Sequence, residues 1–82
     1  MSPSNIIISP NPTFNQITVT TNDNVGFYQI KIFDKMGVSK KQFTYPKRTK
    51  QVNINVSGFS TDIYQVHVFD GTIWKNIPFS KL

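Results

Sequence analysis

Apolar and polar residues alternate with a period of two along several short stretches of the chain. In residues 27–33 this alternation places Tyr28, Ile30 and Ile32 on one face, as expected of a strand buried on one side. The same period predicts three more strands, with inward faces formed by Ile17 and Val19 in residues 16–20, by Val52, Ile54 and Val56 in residues 51–56, and by Tyr64, Val66 and Val68 in residues 63–69. These four strands are the basis of the predicted core.

Turn signals separate these strands and delimit three others. The additional strands are predicted at residues 5–9, 38–45 and 72–79, the last with Ile73, Ile77 and Phe79 on one face. Turns are predicted at Pro10-Asn11-Pro12-Thr13, Asn22-Asp23-Asn24, Asp34-Lys35-Met36-Gly37, residues 57–62 and the two-residue hairpin loop Asp70-Gly71, and the strand pattern breaks at residues 46–49. Pro78 marks the last strand as an edge strand or a bulged one. Seven strands at this spacing predict an all-β fold, an immunoglobulin-like antiparallel β-sandwich.

The composition supports an all-β fold. The 82 residues include 10 Ile, 7 Val, 7 Phe and 8 Thr, whereas Ala and Glu are absent and Leu82 is the single Leu. β-branched and aromatic residues suit a pleated sheet, and Ala, Glu and Leu are among the strongest helix formers. We therefore expect residues 1–82 to form one domain, and neither a helical bundle nor a βαβ enzyme.

Positive charge is concentrated in one part of the chain. Nine Lys and Arg against four Asp give a net charge of +5, and five of the nine cations lie in residues 40–50. Clustered cations attract anionic partners such as lipid head groups or acidic glycolipids, but Lys is also common on edge strands, where it prevents edge-to-edge association. The edge-strand interpretation is favoured. No nucleic-acid partner is expected, because only Phe43 and Tyr45 are interleaved with these cations.

Residues suited to catalysis are sparse. Glu and Cys are absent, and the single His, His67, alternates with apolar neighbours and is predicted to lie on the outer face of its strand. Asp34 and Asp70 occupy predicted turns, where Asp accepts hydrogen bonds from backbone amides. The sequence contains neither a calcium-loop spacing of Asp residues nor a phosphate-binding Gly loop. We expect no enzyme activity, no metal and no cofactor.

A glycan-binding surface is the alternative that the aromatic residues offer. Trp74 has Thr72 and Asn76 as neighbours on its own face and is predicted to be exposed, and Tyr28, Tyr45 and Tyr64 are further candidates for a sugar-stacking platform. Tyr28 and Tyr64 share their faces with apolar residues, which places them in the core instead. The alternative function is a small carbohydrate-binding or adhesive immunoglobulin-like module attached to a secreted enzyme, with Trp74 as the stacking residue.

Five motifs, taken in order, resemble those of a known family. Ile7-Ile8-Ser9-Pro10-Asn11-Pro12-Thr13 resembles the opening of the type IX secretion system C-terminal sorting domains of Bacteroidota, the Por secretion system tail of type A. The other four motifs are Ile17-Thr18-Val19, residues 30–37 with the turn ending at Gly37, residues 52–64 ending in Ile63-Tyr64, and Asp70-Gly71 followed by residues 75–81, which end in the basic residue Lys81. The resemblance covers nearly the whole chain.

The resemblance implies a domain without chemistry of its own. Such domains lie at the C-terminus of a larger exported protein and are recognised by the outer-membrane secretion translocon. A surface sortase then removes many of them and links the cargo to an anionic lipopolysaccharide. The chain is thus expected to be the tail of an upstream cargo domain that is secreted or held at the cell surface. No membrane-spanning segment is expected, because the longest apolar run is residues 6–8 and a spanning helix needs about 20 residues.

The resemblance also singles out candidate recognition residues. They are Pro10, Asn11, Pro12, Thr13, Gly37, Tyr64, Gly71, Ile77, Phe79 and Lys81. The last strand, residues 74–81, is expected to be recognised by strand addition, in which an extended partner pairs with the edge of a sheet. In this hypothesis Ile77 and Phe79 pack the strand and place Lys81, and the turn at residues 10–13 marks the junction with the cargo.

Overall fold

Two antiparallel sheets form the protein. A computed structural model describes residues 6–22 and 24–82. The strands in this part of the chain are β1 (Ile6–Ser9), β2 (Gln16–Thr21), β3 (Phe27–Phe33), β4 (Ser39–Thr49), β5 (Gln51–Asn55), β6 (Asp62–Phe69) and β7 (Trp74–Lys81). One sheet has the order β1-β2-β5 and the other the order β4-β3-β6-β7, with antiparallel pairing throughout. The predicted immunoglobulin-like β-sandwich is confirmed.

The hydrophobic core is built from the faces that the alternation predicts. The side chains that are buried in it from the predicted inward positions are Ile17, Val19, Ile30, Ile32, Ile54, Val56, Tyr64, Val66, Val68 and Phe79. Removing a Val, Ile or Phe side chain from water contributes about 1.5–3 kcal/mol. Burial of these residues therefore holds the two sheets together without a disulfide, since the sequence has no Cys.

The predicted position of Tyr28 in the core is wrong, because β4 carries a bulge beside it. Between the pairs Phe27↔Thr49 and Gln29↔Thr44, β3 has one residue and β4 has four, residues 45–48. Such an insertion disturbs the alternation of faces along the strands. Phe27 is buried as a result, and Tyr28 contacts Phe69 on the outer face of the sheet, with ring centroids 5.5 Å apart. The pattern does break at residues 46–49, but β4 continues to Thr49 rather than ending at residue 45.

The connection between β6 and β7 is longer than predicted. Residues 70–73 join the strands, not Asp70-Gly71 alone, because the pairing ends at Phe69↔Trp74. The Asp70 carboxylate accepts hydrogen bonds from the backbone N–H groups of Thr72 (2.8 Å) and Ile73 (3.0 Å), which extends the turn by two residues. Ile73 is consequently 53% exposed, and its predicted inward position is wrong.

The other strands agree with their predicted ranges to within two residues in the described chain, and the expectations for the sheet edges are met. β7 forms one edge of the four-stranded sheet, as Pro78 indicates, and β4 forms the other edge. All five cations of residues 40–50 are exposed, four of them on β4, as the edge-strand interpretation predicts. Asn5 and Asp23, which the sequence places in a strand and a turn, lie outside the described residues. Within the part that is described, no helix is long and apolar enough to cross a bilayer.

Candidate recognition surface

The first turn of the chain is hydrogen-bonded to the outward edge of the last strand. The contact is made by residues 11–13, which we call the 11–13 segment. Thr13 donates its backbone N–H to the carbonyl of Ser80 (2.9 Å), and Leu82 donates its N–H to the carbonyl of Thr13 (2.8 Å). The side chain of Asn11 accepts a hydrogen bond from the N–H of Ser80 (2.9 Å) and donates a weak one to the carbonyl of Pro78 (3.5 Å). The Asn11 amide thus takes the place of a strand backbone at this edge.

These contacts establish which backbone groups of β7 face away from β6. In an antiparallel ladder the N–H and C=O of one residue point to the same side, and successive residues alternate. Since Ser80 faces the 11–13 segment and the register with β6 is unbroken, Asn76 and Trp74 also direct their backbone groups outward. No described residue pairs with these groups. Pro78 lies between the covered and uncovered halves of the edge, and it has no N–H to offer.

Two candidate recognition residues, Thr13 and Lys81, are buried where the segment meets the strand. Thr13 is 1% exposed, and its hydroxyl donates to the carbonyl of Gln16. Lys81 is 7% exposed, and its ammonium group donates to the carbonyl of Leu82 (2.7 Å). Neither side chain displays its polar group to a partner. Pro10, Asn11 and Pro12, in contrast, are exposed.

Behind this contact, aromatic packing supports β7 from the core. The ring of Phe79 stacks on that of Tyr64, with centroids 5.6 Å apart, and Tyr64 also contacts Phe59 at 4.9 Å. The hydroxyl of Tyr64 donates to the carbonyl of Ser60, four residues earlier (2.8 Å). This arrangement resembles the tyrosine corner found near the start of strand F in immunoglobulin domains. Burial, followed by the charges of Asp62 and Asp34, raises the pKa of Tyr64 above its ordinary value. Ile77 is half-buried beside this cluster.

The two candidate glycines lie at opposite ends of the four-stranded sheet. Gly37 completes the β3–β4 turn, where its N–H donates to the carbonyl of Asp34 (3.0 Å). An ion pair of 3.3 Å between Lys35 and Asp62 joins that turn to the start of β6, the end at which β7 finishes. Gly71 lies in the β6–β7 turn at the other end. The structure therefore does not bring both glycines to one site.

The predicted sugar-stacking platform is only partly assembled. Trp74 is 43% exposed, as predicted, and its ring stacks on Phe69 with centroids 4.8 Å apart. The ammonium of Lys31 lies over the same indole, 5.1 Å from its centroid. Tyr28 reaches this cluster through Phe69. Tyr64 is in the core and Tyr45 packs against it, so neither belongs to the platform.

The remaining polar candidates are scattered over the outer surface. His67 lies on the outer face, as predicted, and its ring contacts Phe33 at 4.6 Å. Phe43 and Tyr45 pack toward the core rather than beside the exposed cations of β4. The described residues contain no group of three or more His, Cys, Asp or Glu that fits a metal ion.

Sequence reasoning missed the bonding between the 11–13 segment and β7. The partners Asn11 and Ser80 are separated by 69 positions, and no local pattern connects them. One available signal is Pro78, because a proline on an edge strand leaves an outward position that cannot be paired through N–H. The half-covered edge is a property of the folded chain alone.

The fold and this surface define a small β-sandwich domain whose first turn is joined to its last strand. The sequence model of the family described as "Secretion system C-terminal sorting domain" matches residues 7–77. The chain belongs to this family. It is a type IX secretion C-terminal sorting signal and marks proteins exported across the outer membrane to the cell surface or the medium. Such sorting domains interact with the secretion machinery and are generally non-catalytic. No curated protein and no solved structure matches the chain.

Proposed function

We propose that this domain is a folded, non-catalytic address label, recognised by the outer-membrane translocon through the edge of β7 and the adjoining 11–13 segment. The observation that carries the proposal is the hydrogen bonding of Asn11 and Thr13 to Ser80, because it joins the motif-bearing turn and the last strand into one surface. A partner that reads this surface tests two distant segments of the chain at once. It therefore recognises the folded domain rather than a linear peptide.

Strand addition at the uncovered half of the edge is the physical mode of recognition. The outward N–H and C=O groups of Trp74 and Asn76 offer the hydrogen bonds that an extended partner needs. The exposed indole of Trp74 stands beside them and supplies side-chain selectivity. Tyr64, Ile77 and Phe79 keep the strand packed, and the buried residues Thr13 and Lys81 keep its end in register.

The domain is the C-terminal part, residues 1–82, of a larger exported protein whose cargo lies upstream. After export a surface sortase cuts the chain before the sorting domain and links the cargo to an anionic lipopolysaccharide. The exposed residues Pro10, Asn11 and Pro12 follow β1 directly, and the Asn11 side chain is hydrogen-bonded to β7, so the N-terminal part of the domain and its recognition edge are adjacent. The turn at Gly71 leads directly into β7, whereas the turn at Gly37 supports the far end of this edge through the ion pair between Lys35 and Asp62.

A proline substitution tests the backbone mode directly. Residues 1–82 are fused to a reporter that carries its own inner-membrane signal, in a host with the type IX apparatus, and the surface and medium are assayed. Asn76→Pro removes an outward N–H without breaking a bond to β6, so the fold is retained and export is expected to fall at least tenfold. Asn76→Ala keeps the N–H and is expected to export normally. Equal export of both variants would exclude strand addition here.

The 11–13 segment is tested by a matched pair of asparagine variants. Asn11→Ala removes both side-chain contacts with β7 and is expected to reduce export. Asn15→Ala is the control, since Asn15 is an exposed residue of the same connection that engages the fold through its backbone carbonyl. Circular dichroism checks that both variants fold. Unchanged export of a folded Asn11→Ala variant contradicts recognition of the joined surface.

Glycan binding through Trp74 is the second candidate, favoured by the exposure of its indole above Phe69. Lys31 already stands over the ring, so a sugar that stacks there must displace it or bind beside it. A broad glycan array with the wild-type domain and Trp74→Ala measures this function. A signal that is lost in the variant supports it, and an array without any signal eliminates it.

A further inference from the structure

The bulge of β4 brings two adjacent cations to one depression on the surface. In a regular extended strand, neighbouring residues point to opposite faces. Here Arg48 has a left-handed backbone conformation with φ of 66°, and residues 45–48 face a single residue of β3. Lys47 and Arg48 consequently both line a depression of about 250 Å³, together with Tyr28 and Gly71. The cations are thus arranged by the backbone and not merely close in sequence.

The backbone of this bulge is held in place from two sides. A Cβ atom at Gly26 would lie 2.6 Å from both the Cα and the carbonyl carbon of Arg48, so Gly26 permits a backbone approach that no other residue allows. The hydroxyl of Thr49 donates to the carbonyl of Pro46 and closes the bulge across its own length. These contacts fix the path of the chain through Lys47 and Arg48.

No carboxylate of the described residues forms an ion pair with Lys47 or Arg48. Asp70 also lines the depression, but its carboxylate accepts the N–H groups of Thr72 and Ile73 and lies 4.0 Å from the ammonium of Lys75. Its charge is therefore engaged within its own turn. Lys50, which is exposed two residues after Arg48, adds to the positive charge near the depression.

The ring of Tyr28 forms a fixed wall of the depression. It rests against Phe69, and a Cβ at Gly71 would lie 3.4 Å from its edge. Gly71 has φ of 105°, which favours glycine, and the missing side chain leaves the space beside the ring open. A volume of about 250 Å³ is slightly below the roughly 300–1,000 Å³ of sites for drug-sized ligands, and suits a molecule the size of one sugar.

We propose that this depression, formed by Tyr28, Lys47, Arg48 and Gly71, binds the phosphate or carboxylate group of a sugar-sized ligand. The planar guanidinium of Arg48 pairs with two oxygens of the anion, and Lys47 adds a second charge. The Tyr28 ring contacts the body of the ligand. The site lies at the end of the sandwich that holds the β6–β7 turn, away from the 11–13 segment, and is independent of the proposed recognition by the translocon.

Binding is measured by NMR titration of the isotope-labelled domain in roughly 0.15 M salt, which screens long-range attraction. The probes are glucose 6-phosphate and glucuronate, with glucose as the uncharged counterpart, and phosphatidylglycerol vesicles as the lipid source of a phosphate. Arg48→Gly removes the guanidinium, and glycine adopts the same backbone conformation without strain. Arg48→Asn is the second variant, since Asn also tolerates this conformation. Lys40→Gln removes an equal charge from β4 outside the depression.

Charged sugars or vesicles are expected to shift the NMR signals of the backbone amides of Tyr28, Arg48 and Gly71. Glucose is expected to bind at least tenfold more weakly. Both Arg48 variants are expected to weaken binding by about tenfold or more, and Lys40→Gln by less than about twofold. Binding to the soluble sugars identifies a soluble or glycan-borne anion, and binding to vesicles alone identifies a lipid head group. The proposal is overturned if no charged probe binds, or if Lys40→Gln weakens binding as much as Arg48→Gly.

Discussion

The hydroxyl of Tyr64 links the loop before β6 to the core at a single residue. Its ring lies between Phe59 and Phe79, and its oxygen is bonded to the carbonyl of Ser60. A net intramolecular hydrogen bond contributes roughly 0.5–1.5 kcal/mol. Because burial raises the pKa of Tyr64, the folded state also favours the protonated hydroxyl over the phenolate. The stability that this one side chain contributes is therefore expected to fall at alkaline pH.

Replacing Tyr64 by Phe keeps the ring and removes the hydrogen bond. We expect a loss of about 1 kcal/mol, which lowers the melting temperature of a domain of this size by roughly 4–8 °C. The matched control is Tyr28→Phe, which removes the hydroxyl of an outer-face tyrosine, and we expect no change there. Calorimetry of both variants measures the difference. Equal melting temperatures for wild type and Tyr64→Phe contradict the assignment.

The same substitution has an effect on the pH dependence of stability. A raised folded-state pKa makes a stabilising contribution that is complete below the unfolded-state pKa, near 10, and is lost as the pH rises through the folded-state value. The wild-type protein is therefore expected to lose stability above about pH 10, and Tyr64→Phe to lose less. Burial also raises the pKa of Tyr45, so the Tyr64→Phe variant is still expected to lose some stability at alkaline pH.

The stabilising contribution of Asp62 has the opposite pH dependence, because it is lost as the pH falls. The N–H of Ile63 is the main cause that lowers the pKa of Asp62, and Lys35 adds to it. A lowered pKa stabilises the fold above the unfolded-state value, and this contribution is lost as the pH falls through the folded-state value. Urea unfolding between about pH 5 and pH 2 is expected to show a shallower loss for Asp62→Asn than for wild type. Lys35→Gln is expected to retain most of the acid loss of stability, because the Ile63 N–H remains. If Lys35→Gln loses as little stability as Asp62→Asn, Lys35 and not the Ile63 N–H is the main cause of the lowered pKa.

At the scale of elements, the β3–β4 ribbon contains two glycines whose roles differ. Gly26 and Gly37 both have positive φ values, of 70° and 84°. A Cβ at Gly26 would meet the backbone of Arg48 at 2.6 Å, whereas a Cβ at Gly37 would meet nothing within 4 Å. Only Gly26 combines a conformational with a steric requirement. It controls whether the bulge can pack against the start of β3.

Alanine at each glycine separates the two effects. Gly37→Ala is expected to cost about 1–2 kcal/mol, the penalty of a left-handed conformation for a residue with a Cβ. Gly26→Ala carries the same penalty and must also move the β4 backbone, so it is expected to cost at least about 1–3 kcal/mol more. Chemical denaturation of both variants measures the two free energies of unfolding. Equal costs would show that the close approach to Arg48 is unimportant.

The regular strands were predictable from the sequence and the bulge was not. Val66 and Val68 alternate with polar neighbours over a straight strand, so a period of two assigns their faces correctly. Tyr28 follows the same period but stands opposite the extra residues of β4, and the bulge moves it to the outer face. The break at Pro46 indicated an irregularity without revealing how the partner strand responds. A bulge is a property of a pair of strands, which a single-strand pattern does not contain.

The candidate site was predictable in its members but not in its arrangement. Asn11 and Thr13 stand out as residues of a proline-rich turn, and Phe79 as an inward residue of the last strand. Their association depends on hydrogen bonds across nearly the whole chain length. The burial of Lys81 is equally invisible locally, because a charged residue at the end of a strand is ordinarily solvated. Folding brings it beneath the turn.

For the whole molecule, the 11–13 segment determines how much of the recognition edge is accessible. Only Thr13 of this segment is buried, and the segment is held mainly by hydrogen bonds to β7. The central strands β3 and β6 are, in contrast, paired on both sides. Segments with few buried apolar contacts open at lower free energy than the core. A full-length partner strand can pair with β7 only when the segment has opened.

Native-state hydrogen exchange measures that opening. The amides of Thr13, Ser80 and Leu82 are expected to exchange at least about tenfold faster than that of Val66, because they open without global unfolding. Asn11→Ala should accelerate exchange at Ser80 selectively, since Asn11 accepts that N–H, and Asn15→Ala should not. If Thr13 and Val66 instead exchange through one common unfolding, the covered half of the edge never opens in the native state. The covered half of the edge would then be closed to a partner at all times, and recognition would use only the closed surface and the outward groups of Trp74 and Asn76, as proposed above.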